Sequence, residues 1–337
     1  MYRKPNEPCF ISTQRILMDL PLTINEIPKT GTGTFAKASS IVLGAGFIVL
    51  SAVARQGVKT CCASPLGTGP NSKQIKEVFR LENIECIVEE VIGDNGMNLN
   101  LRDSKGNYTY IVSSGVEAEP QLSELEDITL QANDYVFVSG MDLSNETSAR
   151  VLLKWCKTIP RHVNIVFSPG PFVEKISFEN IEEMLEMTDI LTINKREINT
   201  IFLKDFVEKS TNKDIGDYLS GKDSINIDDD KMWSMLSEKV KDSALIVIRD
   251  GVLDCRVKEK NTDSKVVSVP CFKKPVVDTT GVADTHTGVL VASLMSNHSV
   301  YDSVRRANLA AAMCASKVGN AHCPSSMEID ILLENEL

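Results

Sequence analysis

The sequence is short of positive charge. Its 36 lysines and arginines stand against 46 aspartates and glutamates, a formal net charge of −10 over 337 residues. So acidic a chain has no broad affinity for nucleic acid or anionic membrane, although a local basic site for a phosphorylated ligand is compatible with it. Metal-ligand spacing is lacking too. The nine cysteines include no C-x-x-C pair and the four histidines form no ligand pattern, which argues against a structural zinc site. The odd number and scatter of the cysteines point to reduced thiols in a cytoplasmic protein. The stretch MYRKPNEPCFISTQRILMDL has no apolar segment of signal-peptide type. The uncharged run ASSIVLGAGFIVLSAVA, residues 38–54 between Lys37 and Arg55, falls short of the ~20 residues a membrane-spanning helix needs. With three serines and two glycines, it reads as a buried helix preceded by a tight glycine turn. No internal repeat is visible.

What is present is an alternation of strand and helix signals. VKTCCASPLG reads as a strand and turn, and NSKQIKEVFRLEN has helical spacing at Ile75, Val78, Phe79 and Leu81. DYVFVSG, VNIVFSPGP, DILTIN and SALIVIRDG read as short apolar strands. SARVLLKWCKTI, SFENIEEMLEM with Ser177 as N-cap, KREINTIF and SVYDSVRRANLAAAMCASKVG read as helices. Such alternation predicts an α/β fold with a mostly parallel sheet covered on both faces. The hairpin signal near 97–113 breaks the alternation as a small β excursion. The polar, charge-dense stretch at approximately 203–232 reads as a surface insertion, partly helical or mobile.

One motif carries chemistry. Residues 278–288 read DTTGVADTHTG, and the apolar run VLVASLM follows at once. A turn at Gly281–Val282–Ala283 opening a helix presents free N–H groups that can cradle an anion. Asp284 in the same turn would repel a static phosphate. It makes sense as the acceptor of a proton from a hydroxyl that attacks phosphorus, while the N–H groups hold the transferring charge. The plain alternative is a helix start with Asp284 stabilising the dipole. Asn194 and Glu197, three apart at a strand end, offer a similar choice between ordering a magnesium ion and closing a helix-capping box.

DTTGVADTHTG resembles the C-terminal signature of the PfkB, or ribokinase-like, carbohydrate kinases, D-T-T/N-G-A-G-D-A/T-F-x-G. Asp278, Thr279, Thr280, Gly281, Asp284 and Gly288 are in register, while Ala283 replaces a glycine and His286 a phenylalanine. NKRE at 194–197 resembles the family's N-x-x-E motif. LGAGFIVLSAVARQG is similar to its glycine-led N-terminal helix, with Leu43 and Ile48 replacing Gly and Asn. The resemblance implies a ribokinase-like three-layer α/β/α sandwich in a single domain, 1–337, with a small β lid formed from approximately 11–36 and 93–118. It implies ATP-dependent phosphorylation of a hydroxyl on a sugar, polyol or nucleoside, with Asp284 as catalytic base and the amides of Gly281, Val282 and Ala283 as anion hole. Asp19, Gly44, Asn98 and Asn100 would hold the acceptor, and Asp250 and Gly251 the nucleotide. Asn194 and Glu197 would hold Mg²⁺ through water, and Asp278 and Thr280 a monovalent cation such as K⁺. His286, beside the base, could alter acceptor choice. The family's lid further suggests a homodimer. Ile48, Ser168, Ala283 and the altered VIRDG leave open a second reading, a catalytically impaired relative that binds nucleotide or sugar in a regulatory role.

Overall fold

The computed structural model describes residues 7–38, 41–105, 108–209, 229–259, 265–319 and 322–335. Nine strands form a central sheet. From one edge to the other they are Val267–Val269, Cys255–Glu259, Leu245–Arg249, Ile190–Asn194, Asn164–Ser168, Tyr135–Ser139, Cys9–Ser12, Lys59–Cys62 and Ile84–Cys86. The strands from Leu245–Arg249 to Ile84–Cys86 run parallel, and the two at the first edge are antiparallel. The parallel strands are continuous apolar runs because both of their faces are buried.

Period-two alternation then feeds two separate cores. In Tyr135–Ser139, Val136 and Val138 pack on one side with Trp155, Leu185 and Ile198, while Phe137 packs on the other with Leu50, Phe79 and Val289. Phe10 stacks on Phe137 across neighbouring strands, centroids 6.0 Å apart. Helices cover both faces, so the molecule is a three-layer α/β/α sandwich. Their ends are capped by local chemistry: Asn145 accepts from the Ser148 amide at 3.0 Å and Ser177 from the Asn180 amide at 3.2 Å. No helix among the described residues is long and apolar enough to cross a membrane.

A second sheet of five strands forms the lid. Its order is Tyr108–Ser113, Met97–Arg102, Ile16–Thr23 and Lys37–Ala38, with Val42–Ala45 also paired to Ile16–Thr23. The chain crosses from the central sheet to the lid at Thr13–Arg15. There Arg15 is tied down, its Nε and its backbone N–H both donating to Asp142 Oδ1 at 3.2 and 3.1 Å.

Three local readings change. The uncharged run at 38–54 divides into the lid strand Val42–Ala45 and the buried helix Gly46–Ala54. A four-residue apolar strand running straight into an apolar helix leaves no break in hydrophobicity to mark the boundary. The lid strands accordingly occupy 16–45 and 97–113, and Cys9–Ser12 belongs to the central sheet. Cys255–Glu259 is a strand whose alternation hides behind Arg256 and Lys258, the half-buried side chains. Of the polar stretch 203–232, residues 210–228 lie outside the described residues. Its two ends are helical, within Lys195–Lys209 and Asp229–Lys239, and Met232 and Trp233 are core side chains despite their charged neighbours.

Candidate active site

Ser139, Ser168, Asn194 and Arg249 are the last residues of four neighbouring parallel strands, and all four face one cavity of about 330 Å³. A cleft at the carboxyl ends of parallel strands is where α/β sheets bind ligands. The lid supplies the far wall through Asp19, Asn98, Asn100 and Tyr110, and the start of the helix Val282–Met295 supplies another. A second cavity of about 530 Å³, with more apolar walls, adjoins the first. Asn194, Arg249, Thr279 and Ala283 line both.

Gly281 takes the left-handed conformation, φ 73°, that turns the chain into this helix. Its carbonyl accepts from the Thr285 amide at 2.9 Å. The N–H groups of Gly281, Ala283 and Asp284 meet no acceptor among the described residues, and that of Val282 reaches the Thr279 carbonyl at 3.4 Å. Ala283 is helical with negative φ, so its methyl group imposes no backbone strain. The Asp284 carboxylate lies partly accessible in the first turn and accepts no hydrogen bond from a described residue. Desolvation pushes it up to about 6, against the lowering effect of the Arg249 guanidinium, with Glu197 and Asp19 adding to the rise. Asp278 anchors the turn from below: its Oδ1 accepts from the Thr280 amide and hydroxyl at 2.9 and 2.8 Å, and its Oδ2 from the Gly319 amide at 3.0 Å.

Across the cavity Asp19 is buried, and desolvation raises it to about 6 while the Asn98 hydrogen bond lowers it. Asn98 Nδ2 donates to Asp19 Oδ1 at 3.1 Å, the two residues being register partners on adjacent parallel strands. Gly44 is required by close approach: a Cβ there would stand 2.1 Å from Asp19 Oδ2. The side-chain carbonyl oxygens of Gln14, Asn98 and Asn100 are buried and unpartnered in the same wall. The wall is therefore polar, with the Asp19 carboxylate and the carboxamides of Gln14, Asn98 and Asn100 grouped along it. Ile48, Leu17 and Met141 give it an apolar flank.

Asn194 and Glu197 form the reciprocal capping geometry. The Glu197 amide donates to Asn194 Oδ1 at 2.9 Å, and Glu197 accepts from the Asn194 amide and Nδ2 at 3.0 and 2.7 Å. Burial raises the Glu197 carboxyl against the lowering effect of Arg249, whose Nη2 is 3.8 Å from Oε2. Among the described residues no three His, Cys, Asp or Glu side chains are grouped to hold a metal ion. The donors thus fit a divalent ion carried by phosphates and touched through water, not one caged by protein.

Asp250, joined to the Lys195 ammonium at 2.5 Å, and left-handed Gly251 line the second cavity. His286, expected beside the base, lines this second cavity and not the first. Asn308 Nδ2 donates to the carbonyls of Val269 and Pro270 at 3.1 and 3.0 Å, so Asn308 Oδ1 is an acceptor. His286 Nε2 lies 3.1 Å from it and must carry the proton. Burial, aided by Arg249, lowers the imidazole to about 3, so it stays neutral with Nδ1 a buried, unpartnered acceptor. Arg249, within the altered VIRDG, and Gln14 are cavity residues to which the sequence reading gives no role of their own. A charged residue ending the apolar run LIVIR was the available signal for the first; no sequence signal marks the second.

A parallel-sheet sandwich with a β lid over its strand ends, and an aspartate at a glycine-led helix start, has the build of a ribokinase-like kinase. The chain belongs to the pfkB family of carbohydrate kinases, whose pattern matches residues 15–327. It is 23% identical over 310 residues to the uncharacterized sugar kinase YegV of Escherichia coli, covering 92% of this chain and 89% of that protein. Its fold is that of the crystal structure of ribokinase from Thermotoga maritima, with a TM-score of 0.76, 19% identity and 97% and 99% of the two chains covered. It is likewise that of ribokinase from Cryptococcus neoformans in complex with ADP, with a TM-score of 0.74, 17% identity and 98% and 100% covered.

Proposed function

We propose that this protein transfers the γ-phosphoryl group of ATP to a hydroxyl of a small uncharged polyol, a sugar or nucleoside. One observation carries the reading: Asp284 and the unpartnered amides beside it stand at the junction of two cavities, one lined by the carboxylate of Asp19 and the carboxamides of Asn98 and Asn100 and the other largely apolar. The Asp19 carboxylate and the carboxamides suit an uncharged ligand rich in hydroxyls, which can donate to the one and accept from the others. The apolar cavity suits a nucleobase, and Asp250 and Gly251 would border it.

Asp19, Asn98 and Asn100 orient the acceptor, and Gly44 lets Asp19 lie against the lid backbone. Asp284 takes the proton of the attacking hydroxyl. The acceptor oxygen bonds to the γ-phosphorus, the bond to the bridging β-oxygen breaks, and ADP leaves with that electron pair. The amides of Gly281 to Asp284 hold the charge on the transferring group. Magnesium, when bound, screens the phosphate charge; Asn194 and Glu197 would meet it through water while remaining bonded to each other. Asp278 and Thr280 would border a monovalent cation such as K⁺ beneath the turn. Ile27, Phe35 and Ile111 of the lid segments are exposed, and we assign the lid to pairing with a second copy of this chain, to be checked by sedimentation.

The test is ADP release by the purified protein with ATP, Mg²⁺ and a panel of sugars, nucleosides, sugar phosphates and sugar acids. Turnover with an uncharged polyol, lost on addition of EDTA, is expected. Nucleotide binding without turnover on any acceptor would overturn the reading in favour of a regulatory protein.

A further inference from the structure

Arg249 ends the strand Leu245–Arg249, within the altered VIRDG, and lines both cavities, and the resemblance gives it no role of its own. Its side chain is 11% exposed. A guanidinium carries five N–H donors in a fixed fork. Here Nη2 makes one long hydrogen bond, 3.5 Å to the Thr192 carbonyl, and Glu197 Oε2 at 3.8 Å is beyond hydrogen-bond reach. Nε is buried with no partner. A buried cation with donors unmet is uncommon, because such groups are normally fully bonded. Neighbouring carboxylates do not complete it: Glu197 is committed to Asn194, and no hydrogen bond joins Arg249 to Asp284. Nε itself is closed to a ligand, and the Nη groups, which are not, suit an anionic partner with several oxygens at the junction where the cavities meet.

We propose that Arg249 clamps the phosphoryl group in transit, binding its non-bridging oxygens as it passes from ATP to the acceptor. The inference rests on the kinase reading above and adds a catalytic residue to it. In the step, the bond from γ-phosphorus to the β-bridging oxygen breaks with its electron pair leaving on ADP. The acceptor oxygen bonds to phosphorus, and its proton goes to Asp284. Arg249 neither gains nor loses a proton. Its positive charge also lets the Asp284 carboxylate share the junction with an anion, and Arg249 is the group that lowers Asp284 against the effect of burial. A rigid fork on a sheet strand suits a migrating charge better than a flexible ammonium.

The experiment uses the full chain with Arg249→Ala and Arg249→Lys, the second retaining a buried cation beside Glu197 in case the first does not fold. Rates are measured with the acceptor found by the panel, and affinities for ADP and for the non-hydrolysable analogue AMP-PNP by calorimetry. Arg249→Ala should lower kcat at least ~100-fold while ADP affinity stays within about threefold. It should lose the preference for AMP-PNP over ADP, and added guanidinium should restore part of kcat. Arg249→Lys should keep less than about a tenth of kcat, since a point charge lacks the fork. Equal loss of affinity for both nucleotides, or a lowered melting temperature with near-parent kcat and no guanidinium rescue, would overturn the proposal and leave Arg249 a structural neighbour of Glu197. Should the parent protein turn over no acceptor, the kinase reading fails separately. The AMP-PNP to ADP affinity ratio still decides on the clamp, and an identical ratio in parent and variant refutes it.

Discussion

Asparagine at position 284 would keep the shape of the aspartate and remove its charge, so one substitution moves catalysis and stability in opposite directions. The carboxyl is raised from 3.8 to about 6, first by desolvation. A group whose folded value lies above its unfolded value binds protons more tightly when folded. The stability this contributes is full below the unfolded value and is lost as pH rises through the folded one. Two pK units at about 1.36 kcal/mol each bound the loss at about 3 kcal/mol. Partial solvent access brings it to about 1–3 kcal/mol. With about 2.1 cal/mol/K of unfolding entropy per residue, ligand-free Asp284→Asn should melt about 1–4 °C above the parent at pH 8. The gap should close towards pH 4. Over the same interval the parent's kcat/KM should fall as pH drops through about 6, because Asp284 must be ionised to accept a proton. Asp19, also raised to about 6, should make that fall steeper than a one-proton curve. Differential scanning calorimetry at three pH values, with initial rates at subsaturating substrate for kcat/KM and at saturating substrate for kcat, makes the assay. The variant's kcat should drop at least ~10²-fold. Near-parent kcat would eliminate Asp284 as the base, and a lower melting temperature at pH 8 would refute the desolvation argument.

Gly44→Ala should push the Asp19 carboxylate out of the acceptor wall, raising KM for the acceptor at least ~10-fold with ADP affinity unchanged; an unaltered KM would mean that Asp19 does not touch the acceptor. Glu197→Ala should remove the reciprocal cap, costing about 0.5–2 kcal/mol of stability, and should shift the rate curve towards higher free Mg²⁺. An unshifted Mg²⁺ curve beside a lowered melting temperature would leave Glu197 a helix cap alone. Ala283→Gly should leave kcat within about threefold and cost about 0.5–1 kcal/mol, since residue 283 is already helical. A tenfold or greater gain in kcat would show that the alanine damages the anion hole.

What the sequence discloses depends on whether a requirement is local. Gly281 must take positive φ and a helix must follow at once, and both demands are visible in a few consecutive residues. The spacing of Asn194 and Glu197 is equally visible but ambiguous, because a helix cap and an ion-ordering pair use the same i, i+3 geometry. The parallel sandwich follows from alternating apolar runs and helical periods. The strand Val42–Ala45 does not, since hydrophobicity is unbroken from it into the helix Gly46–Ala54. Arg249 becomes informative only when four strand ends converge, and Gln14 only when the chain crosses into the lid. The pairing of Asp19 with Asn98 spans 79 residues and is decided by sheet register, which no local pattern expresses.

That register has an evolutionary reach. Asp19 is aligned with Asn98, and Pro21 with Asn100, by backbone bonds between two parallel strands, and not by a loop whose length could vary. Side chains on a strand face can be exchanged while the ladder beneath them stays intact. Where Asp19, Asn98 and Asn100 hold the acceptor as proposed, its choice can therefore drift through single substitutions at 19, 98 and 100 without disturbing the turn at 281–284. An insertion of one residue in either strand has the contrary effect: it carries every side chain of that strand beyond the insertion to the opposite face and breaks its match with the other. On the proposed reading, new acceptors are open to this lid by point mutation and closed to it by insertion.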